Sequence, residues 1–427
     1  MLRINLIIFE KFLFVNTPFL LAKKLIKSKL EKDSTSKPII RVSVASIAIG
    51  IIVLILAIAT GKGLEHTIRT KMQVYASPIQ ISHLNYYSKF DYTPISPDST
   101  LETQFENEDY ITSFHKAAYQ SALIKNGTEV NPVVFKGYDQ SFGWETFEGY
   151  LESGRFPNLN VDDKRGSKEI LISKRLAKKM GYSLNDNVFM FIIDQENQKQ
   201  RVRKLTIVGI YNVGVVEFDD IYIYGDLRVV QKLNRWKAGE FAVWEININN
   251  YDDIDNITYQ ITDLLPVELR ARQIRSIYPN MFVWIDMFDT NIYILLVIIG
   301  LVASINMIST ILISILERTE MIGVLKSLGM NNKSLRSVFL YYMMYLVSKG
   351  LFIGNIIGLG ICYIQYQYKI IPLDEESYHV AHVPIHITLI DVLALNLSII
   401  GISLIVLLIP SLFIKYIRPV KILRFGN

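Results

Sequence analysis

The sequence has a single cysteine and lacks the common motifs of ATP hydrolysis, serine catalysis and zinc binding. Its 427 residues include one cysteine, Cys362, so an intrachain disulfide is excluded. The only Gly-Lys pair, Gly61-Lys62, lacks the upstream glycine of the phosphate-binding loop G-x-x-x-x-G-K-[S/T]. The motifs G-x-S-x-G and H-E-x-x-H do not occur either. We therefore expect a non-catalytic chain that binds no cofactor of its own and does not hydrolyse ATP by that route.

Three of the six histidines are close enough in sequence to suggest a metal site. They are His379, His382 and His386, and on a helix this spacing could bring ligands together. However, Pro384 interrupts the segment, and residues 378–383 alternate as in an extended strand, which directs His379 and His382 apart. We therefore predict no metal site.

Charged residues are scarce in four long stretches of a chain that is 20% charged and 50% hydrophobic overall. The stretches are Ile39–Thr60, Tyr293–Leu316, Leu335–Tyr363 and Ile387–Ile414. Each contains the roughly 20 residues that a helix needs to cross about 30 Å of hydrocarbon. A soluble core would not need so many runs of this length, so we favour four transmembrane helices.

Basic residues flank these stretches asymmetrically. If both termini are cytoplasmic, all three basic clusters lie on the cytoplasmic side, as the positive-inside rule requires. The clusters are Lys23, Lys24, Lys27, Lys29, Lys32, Lys37 and Arg41; Arg318, Lys326, Lys333 and Arg336; and Lys415, Arg418, Lys421 and Arg424. The net charge of +5 is thus explained by membrane orientation, and we expect no nucleic acid partner.

The predicted organisation follows from these boundaries. Residues 1–37 form a cytoplasmic N-terminus with an amphipathic helix over Pro18–Leu30. The four spans cover residues 38–62, 288–316, 334–364 and 387–414. Residues 63–287 form a large extracytoplasmic domain, residues 317–333 a cytoplasmic helix, residues 365–386 an extracytoplasmic loop and residues 415–427 a cytoplasmic tail.

The extracytoplasmic domain is predicted to be α+β, because β-branched or aromatic runs alternate with short helical segments. The predicted strands are Val130–Phe135, Glu169–Ser173, Val188–Ile193, Leu205–Ile210, Ile221–Tyr224 and Val243–Ile248. The predicted helices are Lys174–Met180, capped by Gly181, Leu227–Leu233 and Asp252–Leu264. The stretch Tyr86–Glu108, rich in serine, proline and acidic residues, is predicted to be a loop.

Small and polar residues inside the spans predict helix contacts. Gly350, Gly354 and Gly358 recur every four residues in the third span and form one ridge, along which another helix can approach closely. Asn306, Asn355 and Asn396 would be costly against lipid, so each faces either another helix or a cavity. An interhelical hydrogen bond and a role in transport both remain open for these asparagines.

The segment after the second span is the most specific feature of the sequence. In Glu317–Met330, ERTEMIGVLKSLGM, four apolar residues recur at helical spacing and define one face: Met321, Val324, Leu325 and Leu328. Gly329 is a natural helix terminator. A short amphipathic cytoplasmic helix is either a surface linker or the element that fills a groove on a partner ATPase.

ERTEMIGVLKSLGM resembles the coupling helix of the MacB-type, FtsX-like ABC transporter permeases. Within that superfamily the chain resembles the lipoprotein-releasing LolC/LolE transmembrane subunits. The resemblance also rests on RVSVASIAIGIIVLILAIATGKGLE, KEILISKRLAKKMGYSLNDNV, LTIVGIYNVGVVEFDDIYIY, LDEESYHVAHVPI and IRPVKILRFGN. It implies a membrane protein with four transmembrane helices, in which a MacB-like periplasmic core domain is inserted between helices 1 and 2.

The resemblance also implies a function and a set of functional residues. It implies a bacterial inner-membrane subunit that releases lipoproteins from the outer leaflet toward a periplasmic LolA-like carrier. A LolD-like ATPase, using ATP and Mg²⁺, and a second permease copy or paralogue would be its partners. The coupling residues would be Glu317, Arg318, Glu320, Met321, Gly323, Val324, Leu325, Leu328 and Gly329. A cavity for the lipid or lipoprotein substrate would be lined by Val53, Leu56, Met307 and Ile311.

Other functions fit the same topology. Within the superfamily, the chain could instead be a MacB-like exporter of amphiphiles or peptides, or an FtsX-like regulator of cell-wall hydrolases. A membrane-anchored enzyme would need a catalytic constellation in Gly61–Asp289, and the sequence has none that we recognise. A receptor would not need the cytoplasmic helix.

Overall fold

The computed structural model describes residues 17–27, 36–84, 93–160, 166–193, 200–374, 378 and 380–411. In chain order its α-helices are α1 (Thr17–Lys27), α2 (Ser36–Tyr75), α3 (Ser99–Asn107), α4 (Lys174–Met180), α5 (Val216–Asp219), α6 (Leu227–Leu233), α7 (Ile254–Leu264), α8 (Ile274–Ile277), α9 (Pro279–Glu317), α10 (Thr319–Ser327), α11 (Asn332–Tyr368) and α12 (Leu389–Ser411).

The strands of the described residues belong to one ten-stranded sheet. They are β1 (Ile79–His83), β2 (Ile111–Asn126), β3 (Glu129–Tyr138), β4 (Leu151–Gly154), β5 (Glu169–Ser173), β6 (Asn187–Ile193), β7 (Gln200–Tyr211), β8 (Tyr222–Asp226), β9 (Val243–Ile248) and β10 (Leu269–Gln273).

The chain divides into two compact units, which we call the membrane unit and the sheet unit. The membrane unit contains residues 1–64, 286–371 and 383–427, and the sheet unit contains residues 65–285 and 372–382. Residues 372–382 belong to the segment that the sequence analysis assigned to the loop before the last span.

The membrane unit is built around four helices that are long and apolar enough to cross a membrane. Their candidate spans are Ile40–Tyr75, Thr290–Glu317, Asn332–Tyr368 and Leu389–Leu408. These helices bury one hydrophobic cluster, which includes Ile51, Ile311 and Phe339. The large apolar side chains that remain exposed lie mostly on the helices of this unit, as expected for surfaces that face lipid.

Helix α1 corresponds to the predicted amphipathic helix Pro18–Leu30. Its Ala22 is buried in the membrane cluster, and the ring of Phe19 meets Tyr341 of α11 edge to face at 5.7 Å. Lys23 and Lys24 point outward and are exposed. Residues 28–30 of the predicted helix, and residues 31–35 after it, lie outside the described residues.

The sheet unit is α+β. Its strand order is β10-β1-β9-β2-β3-β8-β5-β7-β4, and β6 pairs with β2 and β7. The pairs β3–β8 and β5–β7 are parallel, and the other pairs are antiparallel. Large side chains such as Trp244, Phe135 and Phe147 are fully buried in its core. A sheet combined with short helices is the α+β architecture that the alternating sequence pattern predicted.

All six predicted strands are confirmed, although several continue beyond their predicted ends. β5 and β9 have the predicted bounds, whereas the strand predicted at Val130–Phe135 continues to Tyr138 as β3. Helix α4 also has its predicted bounds and ends on Gly181, which is left-handed at φ 67°. The long strand β2 and helix α3 were not predicted. Helix α3 lies in the predicted loop Tyr86–Glu108, of which residues 86–92 are not described.

Candidate functional site

The segment Glu317–Met330 singled out by the sequence forms helix α10. It begins at Thr319 and is separated from the end of α9 at Glu317 by one residue, Arg318, which is its N-cap. At its other end, Gly329 adopts a left-handed φ of 90°. The N–H of Gly329 donates to the carbonyl of Lys326, and that of Met330 donates to the carbonyl of Leu325, both at 3.0 Å. This pair of bonds closes the helix with a Schellman motif, which favours glycine.

The apolar face predicted for α10 is divided between two environments. Met321 and Leu325 are half-buried and pack against the hydrophobic cluster of the membrane unit. Ile322, which was not assigned to that face, is fully buried. Val324 and Leu328 are 45% and 78% exposed. The apolar surface that α10 offers to another molecule is therefore Val324 and Leu328.

The other residues assigned to coupling differ in their exposure. Glu317 and Glu320 are exposed, whereas Arg318 is half-buried and Gly323 is buried. Helix α10 is therefore fixed to its own chain along one side. Its other side presents two exposed apolar side chains, and the exposed Glu320 lies one helical turn before Val324.

The four residues assigned to a substrate cavity do not share one environment. Val53 is 41% exposed on α2, and Leu56 is half-buried. Met307 and Ile311 of α9 are buried in the same cluster against which Leu56 packs. Met307 and Ile311 have almost no exposed surface, so α9 would have to separate from its neighbours before either could contact a substrate.

The glycine ridge of α11 lies against an isoleucine ridge of α2. A Cβ built on Gly350 would lie 2.7 Å from Ile47 Cγ2, and one on Gly354 would lie 2.7 Å from Ile51 Cβ. A Cβ built on Gly358 would lie farther from its nearest neighbour, 3.1 Å from Ile55 Cδ1. Both ridges advance by four residues in the same direction, so the two helices are parallel here. Backbone approach this close requires glycine.

Hydrogen bonds between helices satisfy the three asparagines of the spans. Asn306 on α9 donates to Ser46 Oγ on α2 at 2.7 Å. One turn away, the hydroxyls of Ser43 and Thr310 are hydrogen bonded. Asn355 of α11 and Asn396 of α12 donate to one another at 2.8 and 3.1 Å. Of the two alternatives left open by the sequence, the structure shows the interhelical hydrogen bond.

A set of contacts at the opposite end of the membrane unit from α10 was missed by the sequence analysis. Lys62 Nζ lies 2.5 Å from Asp391 Oδ1, and the N–H of His386 donates to the carbonyl of Ala59 at 2.9 Å. A Cβ on Gly63 would lie 2.3 Å from the carbonyl oxygen of Pro384. These contacts bind residues 59–63 of α2 to the segment that leads into α12.

The histidine cluster gives no metal centre within the described part of the chain. No group of three or more His, Cys, Asp or Glu residues is suitably placed there to hold a metal ion. His382 pairs with Pro372 in an isolated bridge. His379 lies outside the described residues.

A buried ion pair occupies the middle of the sheet unit. Lys136 of β3 is 0% exposed and Glu245 of β9 is 2% exposed, with Lys136 Nζ 2.7 Å from Glu245 Oε1. The ammonium also donates to the carbonyl of Tyr75 at 2.6 Å. Burial lowers the pKa of Lys136, and the neighbouring Glu245 opposes that effect.

Three further donors complete the shell around the Glu245 carboxylate. They are Gln80 Nε2 at 3.0 Å, the Tyr119 hydroxyl at 2.5 Å and the Tyr138 hydroxyl at 3.1 Å. Burial, together with the charge of Glu245, raises the pKa of Tyr138 well above its usual value. Since the charge is paired and fully hydrogen bonded, the cluster is a structural element of the sheet and offers no open chemistry.

Comparisons with known proteins match almost the whole described chain. Residues 42–264 match the MacB-like periplasmic core domain, and residues 293–419 match the FtsX-like permease C-terminal family. Two similar curated proteins are the Haemophilus influenzae "Lipoprotein-releasing system transmembrane protein LolE" and the Neisseria meningitidis "Lipoprotein-releasing system transmembrane protein LolC". LolE is 21% identical to this chain, and the match covers 96% of this chain and 99% of LolE. LolC is 22% identical to this chain, and the match covers 90% of this chain and 93% of LolC.

A solved structure is also similar to part of the chain. It is the periplasmic region of MacB from Actinobacillus actinomycetemcomitans, with 13% sequence identity and a TM-score of 0.34. The match covers 48% of this chain and 91% of that one.

Proposed function

This chain belongs to the ABC transporter permeases that combine a MacB-like periplasmic core domain with an FtsX-like C-terminal region, and from that premise we propose that it releases lipoproteins from the inner membrane. It is a bacterial inner-membrane protein with a periplasmic domain. The proposed topology has four spans, both termini in the cytoplasm, and the periplasmic domain inserted between the first and second spans. The four apolar helices and the three basic clusters support it.

In the proposed mechanism a separate cytoplasmic ATPase binds α10 and supplies the energy from ATP and Mg²⁺. The observation that carries this proposal is the division of α10 into two sides. Ile322 anchors the helix to the membrane unit, while Val324, Leu328 and Glu320 remain exposed. A linker helix would gain nothing from exposing two large apolar side chains, whereas a small interface depends on such anchors.

The lipoprotein substrate is proposed from the names of the relatives, which are lipoprotein-releasing proteins matched over 90% or more of this chain. A second copy of the chain, or a paralogue, would pair with it through the first two spans. Acyl chains would enter between the paired spans, near Val53 and Leu56, and a LolA-like carrier would receive the lipoprotein in the periplasm. Met307 and Ile311 would join the cavity when α9 moves.

The test is co-purification of the ATPase with full-length α10 variants from native membranes. Val324→Asp and Leu328→Asp should each reduce the retained ATPase, since truncating an interface anchor costs about 2 kcal/mol, roughly a 30-fold loss of affinity. Lys326→Asp is the control, because position 326 is two residues, or about 200°, around the helix from Val324. Unchanged ATPase retention by both exposed-face variants would show that α10 is only a linker.

Two further measurements complete the test. Leu325→Asp should lower the stability of the permease itself, because Leu325 packs against its own membrane unit. Mass spectrometry of the material that co-purifies with the wild-type complex should detect lipoproteins. If it detects unmodified peptides or a cell-wall hydrolase instead, the chain is an exporter or a regulator of the same family.

A further inference from the structure

Four neighbouring strands of the sheet unit carry two exposed rows of side chains on one face. β2 pairs with β3 on one side and β6 on the other, and β6 pairs with β7. Residues directly opposite one another in a sheet point to the same face, as do residues two apart along a strand. The first row contains Pro132, Leu123, Phe191 and Val202, and the second contains Val130, Lys125, Phe189 and Lys204. We call these eight residues the row surface.

The row surface is apolar where a solvent-facing sheet surface is normally polar. Leu123, Val130, Phe189 and Val202 are 39–53% exposed. The alternate residues on the same strands, such as Ile124, Met190 and Leu205, are buried in the core. The core thus already uses the other face of these strands. Six of the eight residues in the two rows are apolar, whereas the solvent-facing side of a sheet is normally polar.

The charges of the row surface have one sign. Lys125 and Lys204 lie on either side of Phe189 in the same row. None of the eight residues is acidic. An apolar strip with cations at its edge is complementary to a molecule that is apolar along its length and anionic at one end.

The size of the row surface favours a narrow occupant. Four strands spaced about 4.8 Å apart span roughly 14 Å, and two rows along a strand are about 7 Å apart. Such a strip offers far less than the roughly 800 Å² per partner that a stable protein interface buries. The narrow dimension of the strip is close to the width of one or two extended acyl chains.

We propose that the row surface binds the acyl chain of an anionic lipid, with Lys125 and Lys204 facing its acidic headgroup. This lipid is distinct from the proposed lipoprotein substrate, because the acylated cysteine of a lipoprotein carries no acidic headgroup. The row surface would shelter the acyl chain of this lipid from water outside the bilayer. Binding itself requires neither ATP nor a carrier and can be measured separately from transport.

The experiment uses the full-length chain in lipid nanodiscs and a photoactivatable long-chain fatty acid as the probe. After irradiation, cross-linked peptides are identified by mass spectrometry, and peptides from β2, β6 or β7 should be labelled. Val202→Asp should reduce this labelling about tenfold, because it introduces a repelling charge into the apolar row. Val267→Asp is the matched control, since Val267 is 86% exposed elsewhere on the sheet unit, and it should label as the wild type does.

The lysines are tested by comparing probes. Replacing both Lys125 and Lys204 with Gln should weaken labelling by the fatty acid about fivefold, and labelling by the matching long-chain alcohol much less. Lys178→Gln, an exposed lysine of α4, is the control. Equal loss of both probes would overturn the role of the lysines.

Labelling confined to the helices of the membrane unit, or unaffected by Val202→Asp, would overturn the proposal. So would cross-links that join the row surfaces of two chains, because a second copy would then be the occupant. Retention of the ATPase and of lipoproteins is measured on the same variants. Lipoproteins that still co-purify while the row surface fails to label would reject this inference and leave the proposed function standing.

Discussion

At the scale of single residues, the ion pair of Lys136 and Glu245 makes the sharpest energetic prediction. Lys136→Met should destabilise the sheet unit by about 3–5 kcal/mol, because it leaves the Glu245 carboxylate buried without its cation. The double variant Lys136→Met with Glu245→Gln should recover much of that loss, since the neutral amide still accepts from Tyr119 and Gln80. Denaturant unfolding followed by tryptophan fluorescence is suitable, because Trp244 is buried next to Glu245.

An exposed ion pair of the same unit provides the control. Lys174 and Glu152 lie 2.5 Å apart with side chains that are 56% and 40% exposed. Lys174→Met should therefore cost no more than about 1 kcal/mol. If Lys136→Met and Lys174→Met lower the free energy of unfolding equally, burial does not determine how much Lys136 contributes to stability.

The sequence could not reveal this pair, because the two residues are more than one hundred positions apart and each has an ordinary surface interpretation. A lysine after Val133, Val134 and Phe135 resembles the polar end of a strand, although β3 continues to Tyr138. The cross-strand register, which places Lys136 opposite Tyr119, supplies the missing information. Register depends on pairing with distant strands and is not encoded locally.

At the scale of elements, the packing of α2 on α11 predicts unequal effects for two glycines of one helix. A methyl group at Gly354 would lie 2.7 Å from Ile51 Cβ and 2.9 Å from the carbonyl oxygen of Ala48. Gly354→Ala should therefore force the helices apart and destabilise the membrane unit by about 1–3 kcal/mol. The midpoint of thermal aggregation in detergent, or retention of the monodisperse peak after heating, measures this effect.

Gly360 is the matched control for Gly354. It lies on the same helix, and no other atom comes within 4 Å of a Cβ at that position. Gly360→Ala should leave the thermal midpoint unchanged or slightly raised, because alanine is the better helix former. If the two substitutions behave alike, close packing of α2 and α11 is not what stabilises this contact.

Helix α10 illustrates which parts of an element could be predicted. The periodic apolar residues and Gly329 predict a short helix and its end, because both depend on local chemistry. They do not predict which side faces inward, since Ile322 and Val324 are equally apolar and only tertiary packing distinguishes them. Strand β2 was missed for a related reason: Ala117, Ala118 and Lys116 favour no strand locally, and pairing with β3 and β9 determines the conformation.

At the scale of the whole molecule, the arrangement of apolar runs and basic clusters predicts which parts of the chain face each side of the membrane. The sequence alone provides this information, because insertion responds to segment hydrophobicity and to flanking lysine and arginine. The structure adds which positions are accessible to a reagent. Ser167 is 4% exposed and therefore a poor site for labelling, whereas Ser96 and Ser327 are exposed.

Cysteine labelling in intact spheroplasts tests this topology. Cys362 is buried and can be replaced with Ala to give a cysteine-free background. In that background, Ser96→Cys on the sheet unit should react with a membrane-impermeant maleimide. Ser327→Cys on α10 should react only after the membrane is permeabilised, because the proposed topology places the second basic cluster, which includes Arg318 and Lys326, in the cytoplasm. Labelling of Ser327→Cys in sealed spheroplasts would invert the topology, and α10 could then not contact a cytoplasmic ATPase.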